Sequence, residues 1–185
     1  EVFDETIRSL THDFKYARYT PLTYYTGERD QHEVQSQRNL AKFMKILTVK
    51  RLESSFTAFL STLRRFIKTY IHVIKEFKKG EGFVYISKKH SGKIFELLEK
   101  NDQEGIQHLL DEDKAEKLAA EDFKPEFIAD LKNDLKALVK VRSLWKKVTR
   151  DPKWESFRGE LKKTTLLKNS KVIIFTESKE TADYL

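Results

Sequence analysis

The sequence contains no cysteine, and this absence excludes disulfides and metal sites built on thiolates. Its five histidines include no pair at a metal-binding spacing such as H-x-x-x-H, so we expect no metal in this chain. No apolar run approaches the roughly 20 residues that a membrane-spanning helix requires. The charged start, Glu1-Val2-Phe3-Asp4-Glu5, is unlike a signal peptide. These absences predict a cytoplasmic protein with no membrane contact and no metal of its own.

Glycine and proline are scarce as well, and neither occurs between Gln35 and Lys79. Apolar residues recur there at steps of three and four, which is typical of an amphipathic helix. They are Leu40, Phe43, Met44, Leu47, Leu52, Phe56, Phe59, Leu60, Leu63, Phe66, Ile67, Tyr70, Ile71, Ile74 and Phe77. An unbroken helix of this length spans roughly 65 Å, and the β-branched cluster at Thr48–Lys50 is where we expect a bend. The predicted fold is mainly α, a helical bundle built on this one long basic amphipathic helix.

Charge alternates in blocks along the chain. Residues 36–79 carry eleven Lys or Arg and two acids, residues 80–135 carry eight and fourteen, and residues 136–171 carry twelve and three. Two interpretations stay open. The basic helices bind a polyanion such as a phosphate backbone, or acidic and basic helices pack together and neutralise each other. The basic side chains that mostly lie off the apolar stripe are Lys42, Lys45, Lys50, Arg51, Arg64, Arg65, Lys68 and Lys75.

The N-terminal residues predict a short helix followed by an aromatic segment. Asp4 is a candidate N-cap for a helix over residues 5–15, and the chain around Pro21 is expected to be extended, because the residue before a proline avoids the helical region. The tyrosines of this segment are Tyr16, Tyr19, Tyr24 and Tyr25. They either stack on nucleobases or pack against the chain's own core.

The second half of the chain predicts a strand and several helices. Phe83–Ile86 is typical of a short strand, and Lys114–Glu121 of a helix. Apolar residues at helical spacing over residues 125–150 predict the antiparallel mate of the long helix. Asp151 and Pro152 then suit the N-cap and first turn of a further helix.

The last fifteen residues change character. Lys171–Thr176 is a continuous β-branched and aromatic run, typical of a strand that is buried on both faces of a parallel sheet, and residues 177–185 follow it as a helix. A buried parallel strand requires neighbouring strands, which this chain does not provide. We therefore expect this strand-helix piece to belong to an α/β domain of which the chain is a fragment.

These C-terminal segments resemble a known family. Asp151-Pro152-Lys153 with Phe157, then Lys171–Thr176, then Thr181-Ala182-Asp183-Tyr184-Leu185 looks like the start of the second RecA-like lobe of superfamily-two helicases and translocases. The likeness is to the Swi/Snf-like branch especially. In that family a D-P-K-like helix leads into a K-V-I-I-F-T-type strand, motif IV, and a helix containing T-A-x-Y-L.

Two upstream segments extend the resemblance. Lys50–Ser55 resembles a K-R-x-E-S-S stretch of bacterial members, and Ala17-Arg18-Tyr19 a shorter one. The resemblance implies an N-terminal helix and lead-in over 1–30, a helical inter-lobe domain over 31–168, and the first strand and helix of a second RecA-like (helicase C-terminal) domain over 169–185. It implies a parent ATP-dependent DNA helicase or translocase, a hydrolase that uses ATP and Mg²⁺. The partners would be nucleic acid, with DNA favoured, and the remaining lobes of the parent.

In superfamily-two enzymes the residues after the motif IV strand face nucleic acid. By that resemblance and by charge, the predicted nucleic-acid-binding residues are Lys50, Arg51, Ser54, Ser55, Thr176, Glu177 and Ser178. For Arg51 an alternative stays open, because it can equally pair with Glu53 or another neighbouring acid.

The motifs that hold ATP are missing from the chain. It has no G-x-x-x-x-G-K-[ST] loop and no D-E-x-x box, and Ser91-Gly92-Lys93-Ile94 lacks both the first glycine and the final hydroxyl. We assign no catalytic, cofactor-binding or metal residue, and expect no ATP hydrolysis by this chain alone. The predicted function is nucleic-acid contact or lobe coupling within the parent enzyme. The alternative is an independent helical protein-interaction scaffold.

Overall fold

The protein is mainly helical, as the sequence predicts. A computed structural model describes residues 1–80, 83–87, 97, 105, 108, 109, 111, 112, 114–163, 173–176 and 179–185. The α-helices whose bounds it describes are α1 (Val2–Arg8), α2 (Gln31–Ser54), α3 (Phe56–Lys78), α4 (Pro125–Trp145), α5 (Pro152–Lys163) and α6 (Lys179–Tyr184). Two strands, β1 (Phe83–Ser87) and β2 (Ala115–Ala119), form an antiparallel pair. A π-helical turn at Ser9–Asp13 and short 3₁₀ helices at Ala17–Tyr19, Pro21–Thr23 and Ala120–Asp122 complete these elements.

The long predicted helix is two helices that meet at Ser55. This residue is extended (φ −161°, ψ 156°), and its Oγ accepts a hydrogen bond from the backbone N–H of Ala58 at 3.1 Å. Ser55 is therefore the N-cap of α3. The bend expected at Thr48–Lys50 is wrong, because the Thr48 hydroxyl donates to the carbonyl oxygen of Met44 at 2.7 Å and stays buried within a continuous α2.

The core lies chiefly between α3 and α4. Phe59 of α3 contacts Trp145 at the end of α4, with ring centroids 5.5 Å apart, and Phe77 contacts Phe127 at the start of α4 at 5.4 Å. The two helices therefore run antiparallel, which confirms the predicted pairing. The fully buried residues along this contact include Phe59, Leu63, Tyr70, Leu131, Leu138 and Val141.

The N-terminal segment packs into the same core. Tyr16 and Tyr19 are buried, which confirms for these two tyrosines that they pack against the chain's own core. Neither ring is accessible for stacking on a base. The predicted extended stretch is wrong in part, because two 3₁₀ turns flank Thr20, whose own backbone (φ −128°, ψ 41°) is not helical before Pro21. α1 also begins earlier than predicted, at Val2, with Asp4 as the third helical residue of a capping box.

A buried carboxylate holds this segment in place. Asp134 of α4 accepts hydrogen bonds from the backbone N–H groups of Lys15 (2.6 Å) and Ala17 (2.8 Å), and from the Tyr70 hydroxyl (3.0 Å). Tyr16 lies between the two backbone donors in the left-handed region, at φ 58°. Left-handed backbone at a non-glycine residue is strained, and here it turns both flanking N–H groups towards one anion.

The predicted helix at Lys114–Glu121 is wrong. Residues Ala115–Ala119 form β2, which pairs with β1 in the register Phe83↔Ala119 to Ser87↔Ala115. Ala, Glu, Lys and Leu favour a helix locally, but backbone pairing and the burial of Ala115 and Leu118 decide the strand. This pairing also provides the partner that the predicted strand at Phe83–Ile86 requires.

The C-terminal piece is described in part. Residues 173–176 have no regular secondary structure, and Ile173 and Phe175 expose 79% and 91% of their surface. The predicted motif IV strand therefore does not form over them, since none of the described residues supplies a neighbouring strand. Lys171, Val172, Glu177 and Ser178 lie outside the described residues. The predicted helix after this run is present as α6.

Candidate functional site

Four helix ends meet at one place, which we call the joint. It comprises residues 51–56 at the break between α2 and α3, residues 151–154 at the start of α5, and residues 180–184 of α6. The contacting residues of α2 and α6 are 127 to 129 positions apart in the sequence. The joint thus brings together the three segments K-R-x-E-S-S, D-P-K and T-A-x-Y-L.

A cluster of three hydroxyl groups ties α6 to the break. Thr181 Oγ1 lies 2.9 Å from Ser54 Oγ and 2.8 Å from Ser55 Oγ, and Thr181 is buried. Because Ser55 Oγ also accepts from the N–H of Ala58, the same hydroxyl caps α3 and contacts α6. One hydroxyl group, that of Ser55, thus contacts both α6 and the first turn of α3.

Two arginines share one carboxylate beside this cluster. Arg51 Nη1 donates to Glu180 Oε2 at 3.2 Å, and Arg65 Nη1 donates to Glu180 Oε1 at 2.8 Å. Arg65 Nη2 also donates to the Thr62 hydroxyl at 3.2 Å, which orients its guanidinium. The alternative that Arg51 pairs with an acid therefore holds in this structure, but the acid is Glu180 and is distant in sequence.

The start of α5 closes the joint from another side. Asp151 accepts from the backbone N–H of Trp154 at 3.0 Å, which confirms it as the N-cap of α5, and from the Tyr184 hydroxyl at 3.4 Å. Burial, with the negative charge of Asp151, raises the pKa of Tyr184 above its ordinary value. Lys153 Nζ donates to the carbonyl oxygens of Glu53 and Ser54, and so places a cation at the C-terminal end of α2.

A cavity of about 550 Å³ adjoins the joint. Its walls include the rings of Trp154, Phe157, Phe175 and Tyr184, and Lys50 and Ser54 also line it. The rings of Trp154 and Tyr184 lie 5.5 Å apart. The cavity therefore combines aromatic walls with a cation and a hydroxyl.

The structure separates the seven predicted nucleic-acid-binding residues into three groups. Arg51, Ser54 and Ser55 make the contacts within the joint. Lys50, which is exposed, and Thr176, which is half-buried, line the cavity. Glu177 and Ser178 lie outside the described residues. Sequence reasoning did not assign Glu180, Thr181, Asp151 or Lys153 to a site, although the motifs of the family resemblance contain three of them.

A second feature is a row of cations on the exposed face of α3, which we call the α3 stripe: Arg64, Lys68 and Lys75. The side chains of these three have no ion-pair or hydrogen-bond partner among the residues that the structure describes. Lys45 is different, because its Nζ donates to the carbonyl oxygen of Thr11 at 2.6 Å. Among the described residues of the acidic block, none therefore pairs with a cation of the stripe.

No family model, no curated protein and no solved structure matches this chain. Within the described ranges, no helix is both long and apolar enough to cross a membrane. In the same part of the chain, no three His, Asp or Glu side chains are grouped as metal ligands would be. The geometry of the joint and of the α3 stripe is therefore the basis for a functional assignment.

Proposed function

We propose that this chain is the helical inter-lobe region of a Swi/Snf-like superfamily-two ATPase that acts on nucleic acid, and that its joint couples the second lobe to the helical bundle without catalysing a reaction itself. The observation that carries the proposal is the joint. Three segments picked out by resemblance to that family, far apart in sequence, contact one another through specific hydrogen bonds. Three segments that resembled the family only by chance would not be expected to contact one another in the folded chain.

The contacts of the joint suit a coupling role. Thr181 reaches both sides of the break between α2 and α3, and Glu180 bridges an arginine from each helix. A displacement of α6 must therefore change the contacts of both helices at once. In the parent enzyme α6 would be the first helix of the second RecA-like lobe, so lobe movement driven by ATP would be transmitted to α3.

The α3 stripe supplies the nucleic-acid contact in this proposal. Arg64 and Lys68 lie four residues apart on one face of α3, and Lys75 continues the row two turns later. Exposed cations without protein partners bind phosphate backbones through charge and counterion release, without reading sequence. The joint lies at the N-terminal end of the same helix, so contact with nucleic acid and coupling share one element.

Reversing two charges of the α3 stripe tests this contact. We expect the wild-type chain to bind a short fluorescein-labelled duplex DNA with a Kd of roughly 10⁻⁴ to 10⁻⁶ M at physiological salt. Arg64→Glu with Lys68→Glu should weaken binding and flatten the plot of log K against log salt by roughly 0.9 for each phosphate that is no longer neutralised. Fluorescence anisotropy over a salt series measures both quantities.

Lys132→Glu with Lys136→Glu is the matched control. These residues are exposed, lie four apart on α4 and change the net charge equally. If both double variants weaken binding to the same extent, the effect is one of net charge and the stripe is not the interface. If the wild-type chain does not bind even at low salt, the nucleic-acid part of the proposal is wrong.

A protein-interaction scaffold is the second candidate function. Phe43 and Ile46 lie about one turn apart on α2 and each expose 57% of their surface. Exposed apolar side chains that are neighbours on a helix suit a protein partner. The complete reading frame separates the two functions, because a helicase must encode an ATP-binding loop before Glu1 and an arginine motif after Leu185, whereas a scaffold encodes neither.

A further inference from the structure

Arg51 and Arg65 form a site with the chemistry of a phosphate-binding pair. They come from two helices, and the break at Ser55 allows both guanidiniums to reach a single anion, the carboxylate of Glu180. Arginine binds carboxylates and phosphates with the same forked donors, so a site shaped for one accepts the other. Among the described residues, two cations around this one carboxylate also leave a net positive charge at this place.

The pair is open to solvent and continuous with the α3 stripe. The side chains of Arg51 and Arg65 keep 25% and 42% of their surface exposed, so an incoming anion can reach them. Arg65 follows Arg64 directly in the chain, and Lys68 is within one turn of both. A polyanion that lies along the stripe therefore has a phosphate in reach of the arginine pair.

The element that carries Glu180 is weakly held by its own backbone. α6 has six residues, too few to be a stable helix by itself, so side-chain contacts position it. Its side-chain contacts include those of Glu180 with the two arginines, of Thr181 with the two serines, and of Tyr184 with Asp151 and Trp154. Without its two ion pairs, α6 loses the charged contacts among these.

From this geometry we infer that Glu180 acts as an internal phosphate mimic. It occupies the Arg51–Arg65 site when nucleic acid is absent, and a backbone phosphate of nucleic acid bound to the α3 stripe displaces it and loosens α6 from the joint. The inference rests on the proposed function and adds to it a mechanism by which nucleic acid binding releases α6. Binding at the stripe and release of the second-lobe helix become one event, because the same two arginines serve both anions.

Removing the charge of Glu180 tests the inference. If Glu180 competes with phosphate, its removal should increase the affinity for DNA, whereas removal of a residue that binds DNA would decrease it. In the full chain, Glu180→Gln should tighten binding of the fluorescein-labelled duplex, on the order of tenfold at low salt, and steepen the salt slope by roughly 0.9 for each arginine that then reaches a phosphate. The increase in affinity should disappear when Arg51→Ala and Arg65→Ala are added to Glu180→Gln. Thermal melting confirms that each variant is folded.

Glu155→Gln is the control for charge and for a freed arginine. Glu155 binds Arg150 through both carboxylate oxygens, so this substitution also releases one guanidinium and raises the net charge by the same amount. We expect it to change the affinity less than twofold. If Glu180→Gln binds no more tightly than Glu155→Gln, or binds more weakly than wild type, the arginine pair is structural and the inference is wrong. In that case the Arg64/Lys68 variant still decides the proposed function separately.

Trp154 reports the release of α6. Its ring contacts that of Tyr184, so loosening of α6 should expose it to acrylamide. We expect duplex DNA to increase acrylamide quenching of tryptophan fluorescence in the wild-type chain. Trp154→Phe should abolish this change, since the remaining tryptophan, Trp145, is buried. Binding without any change in quenching would show that α6 stays in place and would overturn the switch.

Discussion

Phe59→Ala is expected to lower the free energy of unfolding by about 3 to 5 kcal/mol, the range for removing a large aromatic side chain from a packed core. Phe59 is fully buried, and its ring lies 5.5 Å from that of Trp145 where α3 and α4 meet. The substitution leaves a void that neither helix can fill without moving the joint at the start of α3. Urea unfolding followed by circular dichroism measures the decrease in stability.

Phe43→Ala is the matched control for this substitution. Phe43 is the same residue type on the adjoining helix, but it exposes 57% of its surface. We expect a change within about 0.5 kcal/mol. Similar decreases for the two variants would mean that the interface between α3 and α4 is not the core of the protein.

Asp134→Ala is expected to lower the free energy of unfolding by about 3 kcal/mol, since each buried donor left without an acceptor is unfavourable by about 1 to 3 kcal/mol. The carboxylate accepts from two backbone N–H groups and the Tyr70 hydroxyl, and Ala17 and Tyr70 are both fully buried. Tyr16 would also keep its left-handed conformation without the anion that stabilises it. A decrease below about 0.5 kcal/mol would show that contacts other than this carboxylate hold the N-terminal segment.

The same residue predicts a pH dependence of stability. Burial raises the pKa of Asp134 from its ordinary value of 3.8 to about 6, against the opposing effect of its three hydrogen-bond donors. The folded chain therefore binds this proton more tightly than the unfolded chain does. The contribution to stability is complete below pH 3.8 and is lost as the pH rises through about 6.

The expected size of this effect is about 3 kcal/mol, because one pKa unit corresponds to about 1.4 kcal/mol. Asp134→Asn has no titratable group at this position and isolates the effect. The free energy of unfolding of wild type relative to Asp134→Asn should fall between about pH 4 and pH 7. A difference that rises with pH would mean that the donors outweigh burial and that the carboxylate is ionised throughout.

Local sequence predicted the elements whose residues interact over one or two turns. The apolar spacing of α3 and α4 correctly placed both helices and their antiparallel contact, and Asp151-Pro152 correctly placed the start of α5. The break between α2 and α3 was misplaced. Ser55 terminates α2 by capping α3, and a serine within a polar stretch gives a weaker sequence signal than a β-branched cluster does.

Pairing between distant segments could not be predicted in this way. Residues 115–119 have the composition of a helix, yet they form β2 because the partner strand β1 and the core accept them there. Likewise, the sequence predicted that Arg51, Ser54 and Ser55 contact phosphate. It contained no sign that Arg51 forms an ion pair with Glu180 or that both serine hydroxyls hydrogen-bond to Thr181.

The sequence by itself determined the mainly helical class, the basic face of α3, the absence of thiol chemistry and the segments that resemble the helicase family. Only the tertiary structure decided that these segments meet in one joint and that two arginines share Glu180. The physical reason is the separation along the sequence of the residues that interact. Periodicity and capping depend on neighbours within a few residues. The contacts of Glu180 and Thr181 in the joint instead link residues more than 100 positions apart, and their meeting depends on how the whole bundle packs.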